Sequence, residues 1–118
     1  MKLYGIPNCT TVKRARAWLA ERHIAVPFHD FRKDGASAAL LGRWSREIGW
    51  DALLNRKGTT WRQLPEEVRA GITDEAAAIA LMVAKPSVIR RPILEMGDAI
   101  HVGFDPARYE TLFTANTR

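Results

Sequence analysis

Residues 3–16 have the sequence LYGIPNCTTVKRAR, in which a short apolar run precedes a proline, a cysteine and a helical pattern. The segment Lys2–Gly5 is predicted as a β-strand, and Pro7 ends it. Cys9 comes next and precedes a helix, because apolar residues then recur every three or four positions. These residues are Val12, Ala15 and Leu19. The cysteine is therefore predicted to lie between the first strand and the first helix.

A second strand is predicted over residues 25–31, where Val26 and Phe28 alternate with polar residues. Since only the first helix separates the two strands, we expect them to be parallel. Ser37 is predicted to cap a further helix that ends at Gly49. The polar run NRKGTT, residues 55–60, is predicted to be an exposed loop before a short helical stretch around residues 65–69.

The last third of the chain is predicted to contain a helix, a hairpin and a final helix. Residues 73–75 provide a cap and two carboxylates for the first of these helices. Its apolar stripe is predicted to consist of Ala76, Ile79, Ala80 and Val83. Residues 93–95 and 99–102 are predicted to form an antiparallel hairpin. Asp105 and Pro106 begin the last helix, because proline is favoured at the first helical position.

The predicted order of elements indicates an α/β protein of thioredoxin-like, glutaredoxin-type architecture with a mixed sheet. A helical segment, at about residues 36–85, is inserted between the second strand and the C-terminal hairpin. No repeat, low-complexity tract or linker divides the chain. We therefore expect residues 1–118 to form a single domain.

Composition restricts the classes of function. The chain has a net charge of +5. The excess positive charge lies in its first half, since residues 1–62 contain 12 Lys and Arg against 5 Asp and Glu. Positive charge of this kind attracts nucleic acid, an anionic small molecule or an acidic protein face. The absence of a nucleic-acid-binding motif argues against direct nucleic-acid binding. No signal peptide or membrane-length apolar run is visible, so we predict a cytoplasmic protein that does not contact membranes.

Cys9 is the only cysteine, so it cannot form an intramolecular disulfide. At the start of a helix its sulfur is expected to lie near unpaired backbone N–H groups, which favour the thiolate. Such surroundings lower a cysteine pKa from about 8.5 to roughly 3.5–7.5 and make the sulfur a nucleophile at neutral pH. Lys13 is the nearest cation in sequence. The alternative is that Cys9 is a small apolar residue with no chemical role.

The remaining polar residues give weaker indications. None of the three histidines has a metal-ligand partner at short spacing, so structural or surface roles are favoured and no metal site is predicted. Arg90 and Arg91 precede Pro92, whose peptide bond is a candidate for the cis form. In a thioredoxin-like fold this turn faces the cysteine. A guanidinium there is suited to hold a carboxylate or an oxyanion.

Three separate blocks resemble the arsenate reductase (ArsC)/Spx family, and most closely its YffB-like branch. The blocks are LYGIPNCTTVKRAR, ALLNRKGTTWRQL and ITDEAAAIALMVAKPSVIRRPIL, in the family's order and over nearly the whole chain. The resemblance implies a thioredoxin fold with a helical insertion, a nucleophile at Cys9, and a cis-proline at Pro92 preceded by a functional arginine, Arg91.

The chain also departs from the family pattern. Arsenate-reducing members have a second oxyanion-binding arginine after the A-L-L run, where this chain has Asn55 followed by Arg56. The third arginine falls at Gly103. Losing two such contacts is expected to weaken arsenate binding, since each is worth roughly 1.5–3 kcal/mol, unless Arg56 and Arg90 replace them. Spx-like regulators often sense oxidation through C-x-x-C, but the second position here is Val12.

The resemblance therefore implies a thiol-dependent oxidoreductase that uses one nucleophilic cysteine and glutathione as co-substrate, with no bound cofactor. The mixed disulfide on Cys9 would be resolved by glutathione or by a protein thiol such as glutaredoxin. Two alternatives remain open: an arsenate reductase that uses glutathione and glutaredoxin, and a non-catalytic Spx-like regulator with RNA polymerase as protein partner. The predicted site residues are Cys9, Thr10, Thr11, Lys13, Arg56, Arg90, Arg91 and Pro92.

Overall fold

The computed structural model of the chain describes residues 1–116. Four strands form one mixed sheet in the spatial order β2-β1-β3-β4. Their bounds are β1 Lys2–Gly5, β2 Phe28–Asp30, β3 Ile93–Met96 and β4 Ala99–Val102. Strands β1 and β2 are parallel, whereas β3 is antiparallel to both β1 and β4. This is the thioredoxin-like arrangement that the order of elements predicted.

Eight α-helices are described in residues 1–116. Their bounds are α1 Thr10–Glu21, α2 Phe31–Asp34, α3 Ala38–Ile48, α4 Trp50–Leu53, α5 Thr59–Arg62, α6 Glu66–Ala70, α7 Glu75–Ala84 and α8 Pro106–Asn116. A 3₁₀ turn at Pro86–Val88 follows α7. Helices α2 to α7 therefore lie between β2 and the hairpin. No helix in the described range is long and apolar enough to span a membrane.

The two faces of the sheet cover two separate cores, because side chains alternate along each strand. Tyr4 and Ile93 face the larger core, which the helices between β2 and β3 complete around the fully buried Trp44. Leu3 and Leu94 face the smaller core, which α1 and α8 complete. Its helical members are Ala15, Trp18, Leu19, Tyr109 and Phe113. The sheet thus separates α1 and α8 from the other helices.

A partly buried carboxylate ties helix α3 to the sheet. Glu95 accepts hydrogen bonds from the Tyr4 hydroxyl at 3.2 Å and from Trp44 Nε1 at 3.0 Å, and it forms an ion pair with Arg43. Burial raises the pKa of Glu95, but the hydrogen bonds from Trp44 and Arg43 and the Arg43 charge lower it below its usual value. Burial and the Glu95 charge raise the pKa of Tyr4 to about 12.

The second strand is shorter than predicted. It covers Phe28–Asp30 rather than residues 25–31. Asp30 ends the strand because its carboxylate accepts a hydrogen bond from the backbone N–H of Arg32, at 2.9 Å, and so caps α2. Phe31 then begins α2 with its ring buried in the larger core. The N-capping preference of aspartate therefore outweighed the alternation of apolar residues at the end of the strand, and Pro27, which has no N–H to donate, directly precedes its start.

The prediction for the buried stripe of α7 was wrong at three of its four positions, since only Ile79 packs against the larger core. The buried residues are Ala78, Leu81 and Met82, whereas Val83 is 42% exposed and Ala76 and Ala80 lie at the surface. Ten residues of almost uniformly apolar sequence define no single face, so periodicity could not choose between them. The packing of α7 against α3 determines which face of α7 is buried. The Ser45 hydroxyl donates to the Glu75 carboxylate at 2.6 Å across that contact.

The exposed loop predicted at residues 55–60 is shorter than the prediction. Helix α5 begins at Thr59, because the buried Trp61 draws this segment onto the larger core. The short helical stretch predicted around residues 65–69 is present as α6, and the hairpin and α8 lie where they were predicted. The last two residues of the predicted domain, 117 and 118, lie outside the described range.

Two neighbouring residues of α7 test its orientation. Replacing the fully buried Met82 with alanine is expected to lower the free energy of unfolding by about 2–5 kcal/mol, because it leaves a cavity. Val83→Ala is expected to change it by less than about 0.5 kcal/mol, since Val83 is largely exposed. Urea unfolding followed by tryptophan fluorescence measures both. A larger loss for Val83→Ala would mean that α7 is rotated.

Candidate active site

Cys9 lies directly after β1 and serves as the N-cap residue of α1, with extended backbone angles φ −82° and ψ 129°. Helix α1 closely approaches the end of β1 at Gly5, which has no side chain. A Cβ atom there would lie only 2.7 Å from a Val12 methyl group. The Cys9 N–H donates to the Ile6 carbonyl at 3.1 Å, which fixes the loop between them. The sulfur is half-buried at the edge of the larger core.

Backbone and side-chain donors converge on the sulfur. Burial raises the pKa of Cys9, but the backbone N–H of Val12, the charge of Arg91 and the N–H of Thr11 lower it, with further hydrogen bonding from Arg91. The lowering groups prevail, so the pKa of Cys9 lies below its usual value. A lowered pKa increases the thiolate fraction at neutral pH, and the thiolate is the nucleophilic form.

The Arg91 guanidinium is held in place from behind. Its Nη1 donates to the carbonyls of Ser87, at 2.8 Å, and Ile89, at 3.3 Å. Its buried Nε has no hydrogen-bond partner among the described residues. The Arg91–Pro92 peptide bond is cis, as the sequence suggested, and Pro92 is buried. Arg91 therefore presents a fixed positive charge to Cys9.

A small antiparallel bridge joins the helical segment to the site. Leu54 pairs with Ile89, the Asn55 N–H donates to the Val88 carbonyl at 2.8 Å, and the Arg90 N–H donates to the Leu53 carbonyl at 2.7 Å. Asn55 and Arg90, which follow the two bridged residues, line the same cavity as Cys9. Arg90 is further restrained because its Nε donates to the Leu54 carbonyl at 3.2 Å.

These elements enclose an open cavity of about 330 Å³ beside the sulfur. We call it the Lys57 cavity, and its lining residues are Cys9, Thr11, Asn55, Lys57, Arg90, Arg91, Val102 and Gly103. Three of these residues are cationic and none is acidic. A small anion or a molecule with carboxylates is therefore electrostatically favoured next to the thiolate.

The structure brings together four of the predicted polar site residues in this cavity: Cys9, Thr11, Arg90 and Arg91. Thr10 and Lys13 do not line it, and both are exposed on α1. Lys13 is not among the groups that shift the pKa of Cys9. Lys13 is exposed to solvent, which screens its charge.

Arg56 also lies outside the cavity, so it does not replace the missing family arginine. Its Nη1 forms an ion pair with Asp51 at 2.6 Å, and its guanidinium lies 5.7 Å from the ring centroid of Trp50 and 5.8 Å from that of Trp61. Lys57 lines the cavity instead. The Asn55 side-chain oxygen accepts from the Lys57 N–H at 3.1 Å, and this Asx turn directs the two side chains differently.

Sequence reasoning missed Lys57, Val102 and the Val12 N–H. The run Asn55-Arg56-Lys57 contains two adjacent cations, and only the turn determines which one faces the cysteine. Thr10 was predicted to stabilise the Cys9 thiolate, but the Val12 N–H lowers the pKa of Cys9 instead. The N–H groups two and three positions after an N-cap residue point back toward its side chain, and these belong to Thr11 and Val12. Gly103 lines the cavity at φ +85°, with its N–H donating to the Pro92 carbonyl at 2.8 Å.

The histidines have contacts outside this site. His29 Nε2 lies 2.7 Å from the Gly35 carbonyl, and Arg108 Nη2 lies 2.9 Å from His101 Nδ1. Burial and the Arg108 charge lower the pKa of His101. Within residues 1–116 no group of three or more His, Cys, Asp or Glu side chains is placed to hold a metal ion.

Known proteins are similar to this chain in sequence and fold over almost its whole length. A solved structure of a protein named YffB is 49% identical, with a TM-score of 0.87, over 92% of this chain and 95% of the other. The model of the ArsC family matches residues 4–112. The chain belongs to the ArsC family. Its thioredoxin-like fold is therefore the ArsC form of that architecture.

Other relatives of this chain differ in their named roles. An arsenate reductase related protein from Brucella melitensis is 48% identical, with a TM-score of 0.75, over 96% of this chain and 95% of the other. An uncharacterized protein of Haemophilus influenzae is 38% identical over 94% of this chain and 96% of its own length. The regulatory protein MgsR of Bacillus subtilis is 26% identical over 90% of this chain and 84% of its own length. ArsC-family membership therefore includes both redox enzymes and regulators.

The pH dependence of Cys9 alkylation tests the electrostatic arrangement. Iodoacetamide reacts with the thiolate, so its rate should rise through a midpoint below the ordinary cysteine value of about 8.5. Arg91→Gln removes a charge that favours the thiolate, so we expect its midpoint to rise by about one pH unit. Lys13→Gln, which loses the same charge outside the cavity, should leave the midpoint unchanged. An equal rise in both variants would contradict this arrangement.

Proposed function

We propose that this protein is a glutathione-dependent thiol reductase that works through the single cysteine Cys9. The observation that carries the proposal is a half-buried sulfur with a lowered pKa at the wall of a cation-lined cavity. The thiolate attacks a disulfide sulfur, forms a mixed disulfide and releases the other half as a thiolate. Since the chain has no second cysteine, an external thiol completes the reaction.

The composition of the Lys57 cavity supports glutathione as that thiol. Glutathione has two carboxylates, and Lys57, Arg90 and Arg91 provide three positive charges around the sulfur. Arg91 Nη1 is held by the Ser87 and Ile89 carbonyls, so the guanidinium charge is fixed in the cavity wall. A charge-assisted hydrogen bond between such a cation and a carboxylate is stronger than a neutral one, which favours an anionic thiol over a neutral one.

In this scheme each residue has a defined role. The N–H groups of Thr11 and Val12 and the guanidinium of Arg91 stabilise the Cys9 thiolate, both as nucleophile and as leaving group. Lys57 and Arg90 bind the carboxylates of glutathione. Two glutathione molecules together supply the two electrons that reduce one disulfide, and they leave as glutathione disulfide.

Treatment with glutathione disulfide tests the proposal directly. We expect intact-mass analysis to show one glutathionyl group on the native protein, none on Cys9→Ser, and its removal by reduced glutathione. The adduct should form faster at pH 7 than an unperturbed cysteine allows, because the pKa of Cys9 is lowered. If Cys9 reacts only after unfolding, the proposed function is wrong.

Substitutions of two adjacent cations, Lys57 and Arg56, test the proposed contacts with glutathione. Lys57→Gln is expected to lower kcat/KM for glutathione about threefold to tenfold in a disulfide reduction assay, because a charge-assisted contact is lost. Arg56→Gln has the same change of charge one residue away, but Arg56 is engaged by Asp51, so its kcat/KM should stay near that of the native protein. Equal losses in the two variants would indicate a general effect of net charge rather than binding in the cavity.

Arsenate reduction is a second candidate, favoured by the same three cations around Cys9. It has less support because Arg56 is turned away and Gly103 contributes no charge where arsenate-reducing relatives have an arginine. Arsenate turnover with glutathione and glutaredoxin, in a protein that fails to reduce disulfides, would favour this candidate over the first. We propose a cytoplasmic location for either activity, where thiols are kept reduced.

A further inference from the structure

A second cavity, of about 280 Å³, also has Cys9 in its wall. It shares Cys9 and Arg91 with the Lys57 cavity, but the rest of its wall comes from different parts of the chain. These residues are Ile6, Asn8, Arg32, Thr60 and Ser87. We call it the Arg32 cavity. Cys9 therefore lies in the walls of two cavities whose linings otherwise share only Arg91.

The lining of the Arg32 cavity also suits an anion. Arg32 is exposed, and its guanidinium makes no hydrogen bond or ion pair to any residue in the described part of the chain. The nearby Asp30 carboxylate accepts from the backbone N–H of Arg32 and forms no ion pair with its guanidinium. Asn8, Thr60 and Ser87 add neutral donors, and none of the lining residues is acidic. A carboxylate can thus pair with Arg32 without displacing an existing partner.

Displacement at sulfur needs space on two sides, because the entering and leaving groups approach and depart along one line. A resolving thiol that attacks Cys9 itself must therefore arrive from one side while the bound half of the substrate departs on the other. Cys9 is suited to such a displacement, because it lies in the walls of two cavities that share only Cys9 and Arg91.

We propose that the Arg32 cavity binds the carboxylate-bearing half of a small disulfide, the substrate class of this protein, while the Lys57 cavity receives glutathione. This inference rests on the proposed function. The Cys9 thiolate attacks the disulfide R–S–S–R′ and forms Cys9–S–S–R, and R′–S⁻ leaves. Glutathione thiolate from the Lys57 cavity attacks the Cys9 sulfur, so that Cys9–S–S–G forms and R–S⁻ leaves into the Arg32 cavity. A second glutathione releases glutathione disulfide and restores the Cys9 thiolate.

Three symmetric disulfides of similar length and different charge test the inference. They are 3,3′-dithiodipropionate, which has two carboxylates, bis(2-hydroxyethyl) disulfide, which is neutral, and cystamine, which has two ammonium groups. The rate of adduct formation on Cys9 is measured for each by intact-mass analysis. The native protein is expected to react fastest with dithiodipropionate and slowest with cystamine.

Arg32→Gln is expected to slow the reaction with dithiodipropionate about threefold to tenfold and the reaction with bis(2-hydroxyethyl) disulfide less than about twofold. Lys33→Gln is the matched control, because Lys33 is the next residue of α2, is exposed and lies outside both cavities. It should keep the native order and rates. Arg32→Lys should restore part of the preference for the carboxylate.

The outcomes separate the inference from the function on which it rests. Equal slowing of all three disulfides by Arg32→Gln, or equal effects of Arg32→Gln and Lys33→Gln, would overturn the assignment of the Arg32 cavity. Adduct formation on Cys9 would still support the proposed function in both cases. Failure of all three disulfides to react with the native protein would overturn the proposed function as well.

Discussion

The close contact between Gly5 and Val12 is the constraint on which the site depends. With no side chain at Gly5, helix α1 packs directly against the end of β1, and any Cβ atom there would collide with a Val12 methyl group. This contact sets where the helix begins relative to the sheet. It therefore sets the direction of the first-turn N–H groups that meet the Cys9 sulfur. Displacing the helix would remove those donors from the sulfur even if Arg91 stayed in place.

The sequence predicted the sheet and the position of Cys9 because those features depend on local patterns. Residues 2–5 and 93–102 have strand periodicity interrupted by one turn, and Cys9 stands between a proline and a clear amphipathic helix. The Arg-Pro step made a cis bond before Pro92 a candidate, and the family resemblance added the expectation that Arg91 is the functional arginine. Local pattern and resemblance together were sufficient for the thioredoxin-like fold and for half of the site.

The rest of the site depends on contacts between distant residues and on single turns. Arg56 and Lys57 are adjacent cations, and no periodicity indicates which of them faces Cys9. An Asx turn at Asn55 and an ion pair with Asp51 decide it. The buried face of α7 was misassigned for a related reason, since an almost wholly apolar helix acquires its orientation only from the helix that it contacts. Tertiary contact, rather than composition, carries the missing information in both cases.

The bridge between Leu54 and Ile89 joins the part of the chain that holds Cys9 to the part that lines the cavity beside it. The sheet and α1 hold the reactive sulfur, whereas residues beyond the bridge, among them Asn55 and Lys57, form much of the surrounding wall. Substitutions in the helical segment can therefore alter which molecules are admitted while the nucleophile keeps its acidity.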